Sequence, residues 1–394
     1  MTPPFPSWLE VDLDAVESNV AQIRRIVGPR CRVAAVVKAQ AYGLGAEEIS
    51  RAAIRAGASQ LAVARIHEGV ALRQAGLRTP ILVLSAIAPA EATRCCQFDL
   101  TPTVTDVATV ALLDRVAEGL GCKLSVHLKV DTGLTRYGAQ IESAVDLGRR
   151  LACCRSLVVD GLYTHFASAD ERDLTFTYQQ IERFLAVRSH LTKAGLRFAT
   201  VHASNSAGAI RVPEGRFDMV RTGITMSGFA PSMEVPVDGL QPAVALKAML
   251  ARTYELQPGT SIGYGRTFIV NHPTRAGLVP LGYADGVPRA LSNGGKMLVR
   301  GRRVPIIGRV SMDQCVVDLS EAPDARDGDV VTALGNDGAE ELSLEEFARA
   351  ADTIPHEALC RLGPRLPRVY HRGGEVSRVI TFEGVDSGAD SAQR

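Results

Sequence analysis

The sequence predicts an α/β protein in which a (β/α)8 TIM-type barrel is followed by a mainly β C-terminal domain. Up to about residue 230, strand-like apolar runs alternate with amphipathic helical segments, and eight such units fit into this length. This number and order favour a closed barrel over an open sheet. A doubly wound sheet would carry a GxGxxG motif after its first strand, and none follows the first apolar run.

The barrel elements can be assigned in order along the chain. Helical segments between the strands, such as 46–57 and 66–76, end at glycine, which is typical of a helix C-terminus. The eight predicted strands are CRVAAVV (31–37), LAVA (61–64), ILVLS (81–85), LTPTV (100–104), SVHLKVD (125–131), LVVDGLYTH (157–165), FATVHAS (198–204) and FDMVRTG (217–223).

After residue 240 the pattern changes to short β-like runs divided by Gly, Pro and Asn turns. Ser343, with Glu346 three residues later, predicts the capped start of one helix. The expected domains are therefore a barrel at 1–240, a β domain at 241–384 and a small, polar, disordered tail at 385–394.

Composition excludes several classes of function. The net charge of +1 over 394 residues gives no electrostatic footprint for nucleic acid or anionic membrane. No apolar run reaches transmembrane length, and the N-terminus lacks the basic-then-apolar pattern of a signal peptide. Eight cysteines without CxxC or zinc-ligand spacing predict reduced thiols and no metal site. We expect a cytoplasmic protein that acts on a small molecule.

Distinctive polar residues recur at the ends of the predicted strands. In barrels of this kind the chemistry lies at the C-terminal ends of the strands, so the pattern predicts an active site there. The residues are Lys38 after the first strand, Lys129 and Asp131 at the fifth, His165 at the sixth, Asn205 and Ser206 after the seventh, and Arg221 and Gly223 at the eighth.

Lys38 is the most informative of them, because it follows an apolar strand within VVKAQAYGLG (36–45). A lysine desolvated there favours the neutral amine and can form a Schiff base with an aldehyde such as pyridoxal 5′-phosphate, PLP. From this window alone, a solvent-facing lysine is the alternative. Phosphate sites in such barrels form after strands seven and eight, where Asn205–Gly208 and Gly223–Ile224 offer a hydroxyl and backbone N–H groups. Arg221 would then lie beneath the cofactor ring instead of in a surface ion pair.

Ten segments of the chain match the motifs of one enzyme family. They are EVDLDAV (10–16), VVKAQAYGLG (36–45), VHLKVDTGLTRYG (126–138), GLYTHFASAD (161–170), HASNSAG (202–208), VRTGITMSG (220–228), IGYGRTF (262–268), LGYADGVPR (281–289), GRVSMDQ (308–314) and LCRLGPRLPRVY (359–370). On these segments the chain resembles the alanine racemase family, whose members combine PLP, a (β/α)8 barrel and a C-terminal β domain. The resemblance implies a PLP-dependent racemase that interconverts L-alanine and D-alanine for cell-wall peptidoglycan, working as a homodimer with shared active sites.

The resemblance assigns catalysis to two residues. Lys38 would carry PLP and act as one acid–base group, and Tyr264, supplied by the partner subunit, would be the other on the opposite face of the substrate. Because a phenol is a poor base at neutral pH, His165 and Arg221 are expected to be cationic or polarising neighbours. Taken alone, His165 would more often be a core histidine. Arg221 would donate to the pyridine nitrogen and leave it unprotonated, which favours reprotonation at Cα.

The resemblance also implies the binding residues. Arg136 and the backbone N–H of Met312, the latter supplied by the partner subunit, would hold the substrate carboxylate, and a carbamate on Lys129 would orient Arg136. Tyr283, Arg309 and Asp313 would line the substrate entrance. The expected cofactor-binding set is Lys38, Tyr42, His165, Asn205, Ser206, Arg221, Gly223, Ile224 and His356.

The chain departs from the usual family residues at a few positions. These are Gln40 for Asn, Leu44 for His, Thr222 for Pro, Ser227 for Tyr and, at the phosphate and entrance, His356 for Tyr. They leave the reaction class intact and leave open how strictly alanine is preferred. The alternatives are a racemase of serine or broader specificity, a non-catalytic PLP-binding protein and a same-fold lyase. The non-catalytic proteins lack the C-terminal domain, and a metal-assisted lyase would need a His/Cys cluster.

Overall fold

The computed structural model describes residues 4–386 and divides into two compact units. The barrel unit contains residues 15–41 and 46–241, and the C-terminal unit contains residues 4–14, 42–45 and 242–386. Strand β1 (Ser7–Asp12) thus belongs to the C-terminal unit, whereas the predicted boundary near residue 240 assigned it to the barrel.

The barrel unit contains eight parallel strands, one for each predicted run, so the predicted barrel is confirmed. They are ordered β8-β7-β6-β5-β4-β3-β2-β9. Between β8 and β9 the backbone N–H of Asp218 donates to Val201 O (2.9 Å), and that of Arg221 donates to Ser204 O (3.0 Å). The strands are β2 (Arg32–Val36), β3 (Gln60–Val63), β4 (Ile81–Val83), β5 (Thr101–Val104), β6 (Leu124–Lys129), β7 (Leu157–Tyr163), β8 (Thr200–His202) and β9 (Met219–Thr222).

Helices connect these strands, and their ends follow local sequence signals. Gly57 and Gly76 follow two of the helices with φ of 96° and 84°, the left-handed conformation that glycine adopts without strain. The side chain of Asp106 accepts from Thr109 N (2.8 Å) and caps a third. The segments are α1 (Leu13–Val27), α2 (Lys38–Tyr42), α3 (Ala46–Arg55), α4 (Ile66–Gln74), α5 (Ala92–Gln97), α6 (Val107–Gly119), α7 (Ile141–Ala152), α8 (Thr175–Lys193) and α9 (Ser206–Arg211).

The C-terminal unit is mainly β, as predicted. Its large sheet runs β11-β14-β17-β16-β15-β18-β10-β1-β20-β21-β22, with β19 on β18, and β12 pairs with β13 separately. The strands after β1 are β10 (Val244–Met249), β11 (Arg252–Leu256), β12 (Ser261–Ile262), β13 (Phe268–Ile269), β14 (Thr274–Val279), β15 (Lys296–Val299), β16 (Arg302–Ile307), β17 (Cys315–Asp318), β18 (Val330–Asp337), β19 (Glu340–Leu342), β20 (Arg368–Arg372), β21 (Glu375–Thr381) and β22 (Gly384–Asp386).

Two further helices complete this unit, α10 (Leu344–Ala350) and α11 (Pro355–Cys360). The hydroxyl of Ser343 accepts from Glu346 N (3.1 Å), so the predicted helix start is confirmed. The predicted tail begins inside β22, and residues 387–394 lie outside the described part of the chain. No helix among the described residues is long and apolar enough to cross a membrane.

Candidate active site

Lys38 lies on a strained turn that follows β2. The next four residues, Ala39 to Tyr42, have φ between 50° and 59°, so α2 is a left-handed turn. For L-residues this conformation costs about 1–2 kcal/mol each, and runs of it persist only where surrounding structure holds them. Glu68 does so from α4, because its Oε1 accepts from Ala39 N (2.6 Å). Lys38 itself is only partly buried, so it lies between the desolvated lysine and the solvent-facing lysine considered from the sequence; β2 ends at Val36 and the chain turns there.

Lys129 is instead the deeply buried lysine of the rim, with 5% of its surface exposed. Burial lowers its pKa to about 7, and the positive charges of Arg221, Arg136 and Lys38 act in the same direction against the opposing carboxylate of Asp131. Its Nζ lies over two tyrosine rings, 5.3 and 5.4 Å from their centroids. Within the described residues it forms no ion pair with a carboxylate. The rim is therefore rich in positive charge.

Arg221 is buried at the centre of this region and contacts no carboxylate of residues 4–386. Its Nη2 donates to the backbone oxygens of Thr164 (3.0 Å) and Ala203 (2.8 Å). The same fork donates to Nδ1 of His202 (2.6 Å) and of His165 (3.0 Å). Burial lowers the pKa of Arg221 to about 10, so it stays protonated at neutral pH. Because a guanidinium can only donate, both Nδ1 atoms must accept, and each imidazole carries its proton on Nε2.

His165 is a neutral imidazole here. Burial and the charges of Arg221 and Lys129 hold its pKa well below the usual value. Of the two expected roles of His165, cationic or polarising neighbour, the lowered pKa favours the polarising one. The cause of this lowering is non-local, because these cations come from other strands. The role left to His165 is that of a polar, uncharged contact to Arg221.

Sequence reasoning missed two histidines behind Arg221. His202 Nε2 lies 3.0 Å from His127 Nδ1, and His127 Nε2 lies 3.6 Å from Asp160 Oδ2. Gly161 makes the room, because a Cβ there would lie 2.4 Å from His127 Nδ1. Strand periodicity was an available signal, since His127 lies two residues before Lys129 and so faces the same side of its strand.

The residues predicted to bind phosphate lie together beyond β8 and β9. The buried hydroxyl of Ser206 accepts from Gly223 N (3.2 Å) and from the Thr225 hydroxyl (3.3 Å). Ile224, 1% exposed, begins a short 3-10 turn directly after Gly223. The amide oxygen of Asn205 accepts from Gly208 N (2.9 Å) and caps α9.

Arg136 lies on the loop after β6, and Asp131 organises that loop. The carboxylate of Asp131 accepts from the backbone N–H groups of Gly133 (2.9 Å), Thr135 (3.0 Å) and Arg136 (3.1 Å). The Arg136 side chain is exposed, yet its charge is felt at Lys129. Arg136 and Lys129 therefore lie in one region.

Tyr264 lies in the C-terminal unit and is 73% exposed. It starts a short turn between Gly263 and Gly265, whose φ angles of 67° and 71° favour glycine. Arg309 packs against this turn, since a Cβ at Gly265 would lie 2.6 Å from its Nη1. A large aromatic side chain on a turn of this kind is available to a second molecule.

Tyr283, Met312 and Asp313 lie on two adjoining loops of the same unit. The backbone N–H of Tyr283 donates to Ser311 O, and that of Ala284 donates to Met312 O, both at 3.0 Å. Tyr283 and Met312 are about half exposed, at 45% and 52%. The structure therefore brings these three predicted substrate residues together.

Tyr42 and His356 also meet within the C-terminal unit. Their ring centroids are 6.1 Å apart in an edge arrangement. Burial raises the pKa of the Tyr42 phenol, so it stays a neutral hydrogen-bond donor. Tyr42 and His356, both members of the expected cofactor-binding set, are thus neighbours.

Comparisons with known proteins identify the family. The family model for the alanine racemase N-terminal domain matches residues 11–231, and the model for the alanine racemase C-terminal domain matches residues 243–370. This chain belongs to the alanine racemase family. It is 41% identical over 367 residues to the alanine racemase of Halothermothrix orenii, which covers 93% of this chain and 97% of that relative.

Solved alanine racemase structures share the fold. The Bacillus anthracis enzyme with bound L-Ala-P has a TM-score of 0.92 and 34% identity, and the match covers 97% of this chain and 99% of that one. The Bartonella henselae enzyme with covalently bound pyridoxal phosphate has a TM-score of 0.84 and 28% identity, with coverage of 93% and 100%.

Against the family's usual residues, Leu44 is a change within the core. Leu44 is fully buried where the family usually has histidine, and its backbone oxygen accepts from the Tyr370 hydroxyl (2.9 Å). An apolar side chain suits that environment, because it leaves no polar atom without a partner.

Among the described residues, no group of three or more His, Cys, Asp or Glu side chains could hold a metal ion.

Proposed function

We propose that this protein is a PLP-dependent racemase that interconverts L-alanine and D-alanine. The observation that carries the proposal is the buried, protonated Arg221, with Lys38 and Lys129 on the same rim, in a chain of the alanine racemase family. A rim so rich in positive charge complements a phosphorylated cofactor and a carboxylate substrate.

The residues present fit PLP. Lys38 would bind it covalently through Nζ, and Arg221 would donate to the ring nitrogen. The Ser206 hydroxyl and the backbone of Gly223 and Ile224 would hold the phosphate. Asn205, Tyr42, His165 and His356 would make supporting contacts with the cofactor. When bound, PLP withdraws electrons from the Cα of an amino acid and so acidifies its proton.

Arg221 would influence which reaction follows. A protonated guanidinium can donate a hydrogen bond and cannot accept one, so Arg221 would leave the ring nitrogen of bound PLP without a proton. PLP would then withdraw electrons less strongly, which would favour return of a proton to Cα over loss of another bond, as a racemase needs.

Lys38 and Tyr264 would exchange the proton at Cα on opposite faces. We propose that Lys38 Nζ serves one face and the phenol of Tyr264, from the partner subunit, serves the other. The 73% exposure of Tyr264 supports a role toward a second copy of the chain. The active unit would then be a homodimer with shared sites.

Arg136 and the backbone N–H of Met312, the latter from the partner subunit, would bind the substrate carboxylate. A carbamate on Lys129 would orient Arg136: the neutral amine attacks carbon dioxide, an N–C bond forms and a proton leaves. The pKa of about 7 supports this, because a neutral amine is available at physiological pH. Tyr283, Arg309 and Asp313 would line the entrance.

A racemase of broader specificity, including serine, is the second candidate. It is favoured by His356, which stands at the edge of Tyr42 where the family usually has the larger tyrosine. A shorter side chain leaves more room at the entrance.

We also propose that the protein acts in the cytoplasm and supplies D-alanine for peptidoglycan; its free cysteines are consistent with a reducing compartment.

One assay tests the function. The protein loaded with PLP is incubated with each L-amino acid, and both enantiomers are measured by chiral chromatography. We expect L-alanine to give D-alanine fastest, with serine next. Racemisation of serine at a higher kcat/KM would favour the second candidate, and racemisation of no amino acid would refute both.

A further inference from the structure

We propose that Arg365 is a positioning residue that locks together the loops 282–285 and 311–313. These loops carry Tyr283 and Met312, so the inference rests on the proposed function, in which both serve the substrate. Arg365 touches neither the substrate nor the cofactor. It acts by fixing where the backbone of Met312 lies.

The guanidinium of Arg365 bridges two carboxylates. Its Nε donates to Asp285 Oδ1 (2.7 Å) and its Nη2 donates to Asp285 Oδ2 (2.9 Å). Its Nη1 lies 2.7 Å from Asp313 Oδ1. The fork is therefore bidentate on one loop and reaches the other loop with its remaining nitrogen. Bidentate pairs of this kind fix geometry as well as adding energy.

Asp285 is the inner partner of this bridge. Only 4% of its side chain is exposed, against 44% for Arg365 and 55% for Asp313. Its Oδ2 also accepts from Gly282 N (2.9 Å), which ties the carboxylate to the start of its own loop. A buried carboxylate that loses its cation is destabilising, so Arg365 and Asp285 must act as a pair.

The two loops have almost no freedom to separate at the other end. A Cβ at Gly282 would lie 2.3 Å from Met312 O, so the backbones are in direct contact. The hydrogen bond from Ala284 N to Met312 O adds to this contact. Arg365 joins the same two loops through Asp285 and Asp313, so the Met312 segment is held by the backbone contact and by this bridge.

Arg365 is itself anchored. A Cβ at Gly363 would lie 2.1 Å from Ala284 O, and Gly363 N donates to Asp285 O (3.3 Å). The chain just before Arg365 therefore rests on the loop it clamps. Arg361 offers a contrast, because in the described part of the chain its side chain is ion-paired with Glu357 alone, in an exposed i,i+4 pair.

The discriminating variant is Arg365→Lys. A lysine keeps the charge that Asp285 needs, yet its single ammonium lacks the planar fork that serves two carboxylates at once. A purely structural role would be rescued by lysine, whereas a bridging role would not. Arg365→Met is the stronger variant, and Arg361→Met is the matched control.

The test combines kinetics on L-alanine with hydrogen exchange of the PLP-loaded protein. For Arg365→Lys we expect KM to rise about tenfold with kcat within about threefold, because positioning of the carboxylate site is lost. Exchange should accelerate in 282–285 and 311–314 only, and Arg361→Met should match the parent. On an Asp313→Asn background, Arg365→Lys should add little further change in KM.

An unchanged KM together with unchanged loop exchange in Arg365→Lys would overturn the proposal, as would a KM effect equal to that of Arg361→Met. If Arg365→Met does not fold, Arg365→Lys still decides. If the unaltered protein does not racemise alanine, the proposed function fails, and loop exchange alone then tests the clamp.

Discussion

The charge state of individual rim residues sets what this site can do. Lys129 is buried near the positive charges of Arg221, Arg136 and Lys38, which outweigh the carboxylate of Asp131, and His165 stays neutral for the same electrostatic reason. Three cationic side chains lie near one buried amine, and an anionic cofactor and substrate would reduce the repulsion among these positive charges. The residue-level predictions therefore concern the two lysines.

Lys129 should make the stability of the protein depend on pH in carbonate-free buffer. Its pKa is about 7 when folded and 10.5 when unfolded, so between these values the unfolded chain holds a proton that the folded protein lacks. The free energy of unfolding should rise with pH in this window, by up to about 1.4 kcal/mol per pH unit, and this contribution should be flat below pH 7. Urea unfolding from pH 6 to 9 measures it.

Lys129→Met should lack that added slope, whereas Lys193→Met, at an exposed position of α8, should follow the parent. Parallel curves for the parent and Lys129→Met would remove Lys129 from the account.

Lys38 should be the residue that binds PLP covalently. Borohydride reduction of the loaded protein should leave the cofactor on the peptide containing residue 38, as measured by mass spectrometry. Lys38→Ala should carry no such adduct and lose racemisation by a factor of at least about 10³. An adduct on another lysine of the parent protein would show that Lys38 is wrongly assigned.

At the scale of elements, the left-handed turn after β2 is the least ordinary feature. It holds Lys38 directly after the strand, with Ala39 bound to Glu68. The apolar run before it predicts a strand, and the strand is present. Nothing local predicts four left-handed L-residues, because the turn depends on a carboxylate that comes from α4.

Ala39→Val should be costly although the side chain is exposed. A β-branched residue fits the left-handed region poorly, so we expect a loss of about 1–2 kcal/mol in the free energy of unfolding. Ala152→Val, at an exposed position of α7, should cost no more than about 0.5–0.7 kcal/mol. Equal losses in urea unfolding would mean that the turn stores no strain.

Sequence patterns were informative wherever the signal was local. The strand runs, the glycines at 57 and 76 and the Ser343 cap all follow from short-range rules, and the structure contains each of them. The neutrality of His165 and the histidine pair behind Arg221 depend on side chains from several strands. Such non-local electrostatics cannot be deduced from any single window.

At the scale of the whole molecule, segments distant in sequence build the C-terminal unit. Strand β1 pairs with β10 and β20, so residues near both termini share one sheet. A division of the chain at one residue number could not express this pairing. The role of Tyr264 likewise came from family resemblance, since no local pattern tells which molecule an exposed turn will meet.

Shared active sites predict recovery of activity between inactive variants. Lys38→Ala and Tyr264→Phe are mixed under conditions of subunit exchange. Each mixed dimer would hold one site with both defects and one with neither, so about a quarter of all sites should become active. The assay is D-alanine formation, with each variant alone as the control. Proven exchange without recovery would mean that Tyr264 serves its own chain.

The most direct measurement follows the α-proton of L-alanine in heavy water. Lys38 and Tyr264 exchange their protons with solvent, so a two-base racemase returns deuterium on the face opposite to proton removal. We predict that the first D-alanine formed carries deuterium at Cα. Chiral chromatography separates this product, and mass spectrometry measures its mass. D-alanine that retains its original proton, or the absence of D-alanine, would contradict the account.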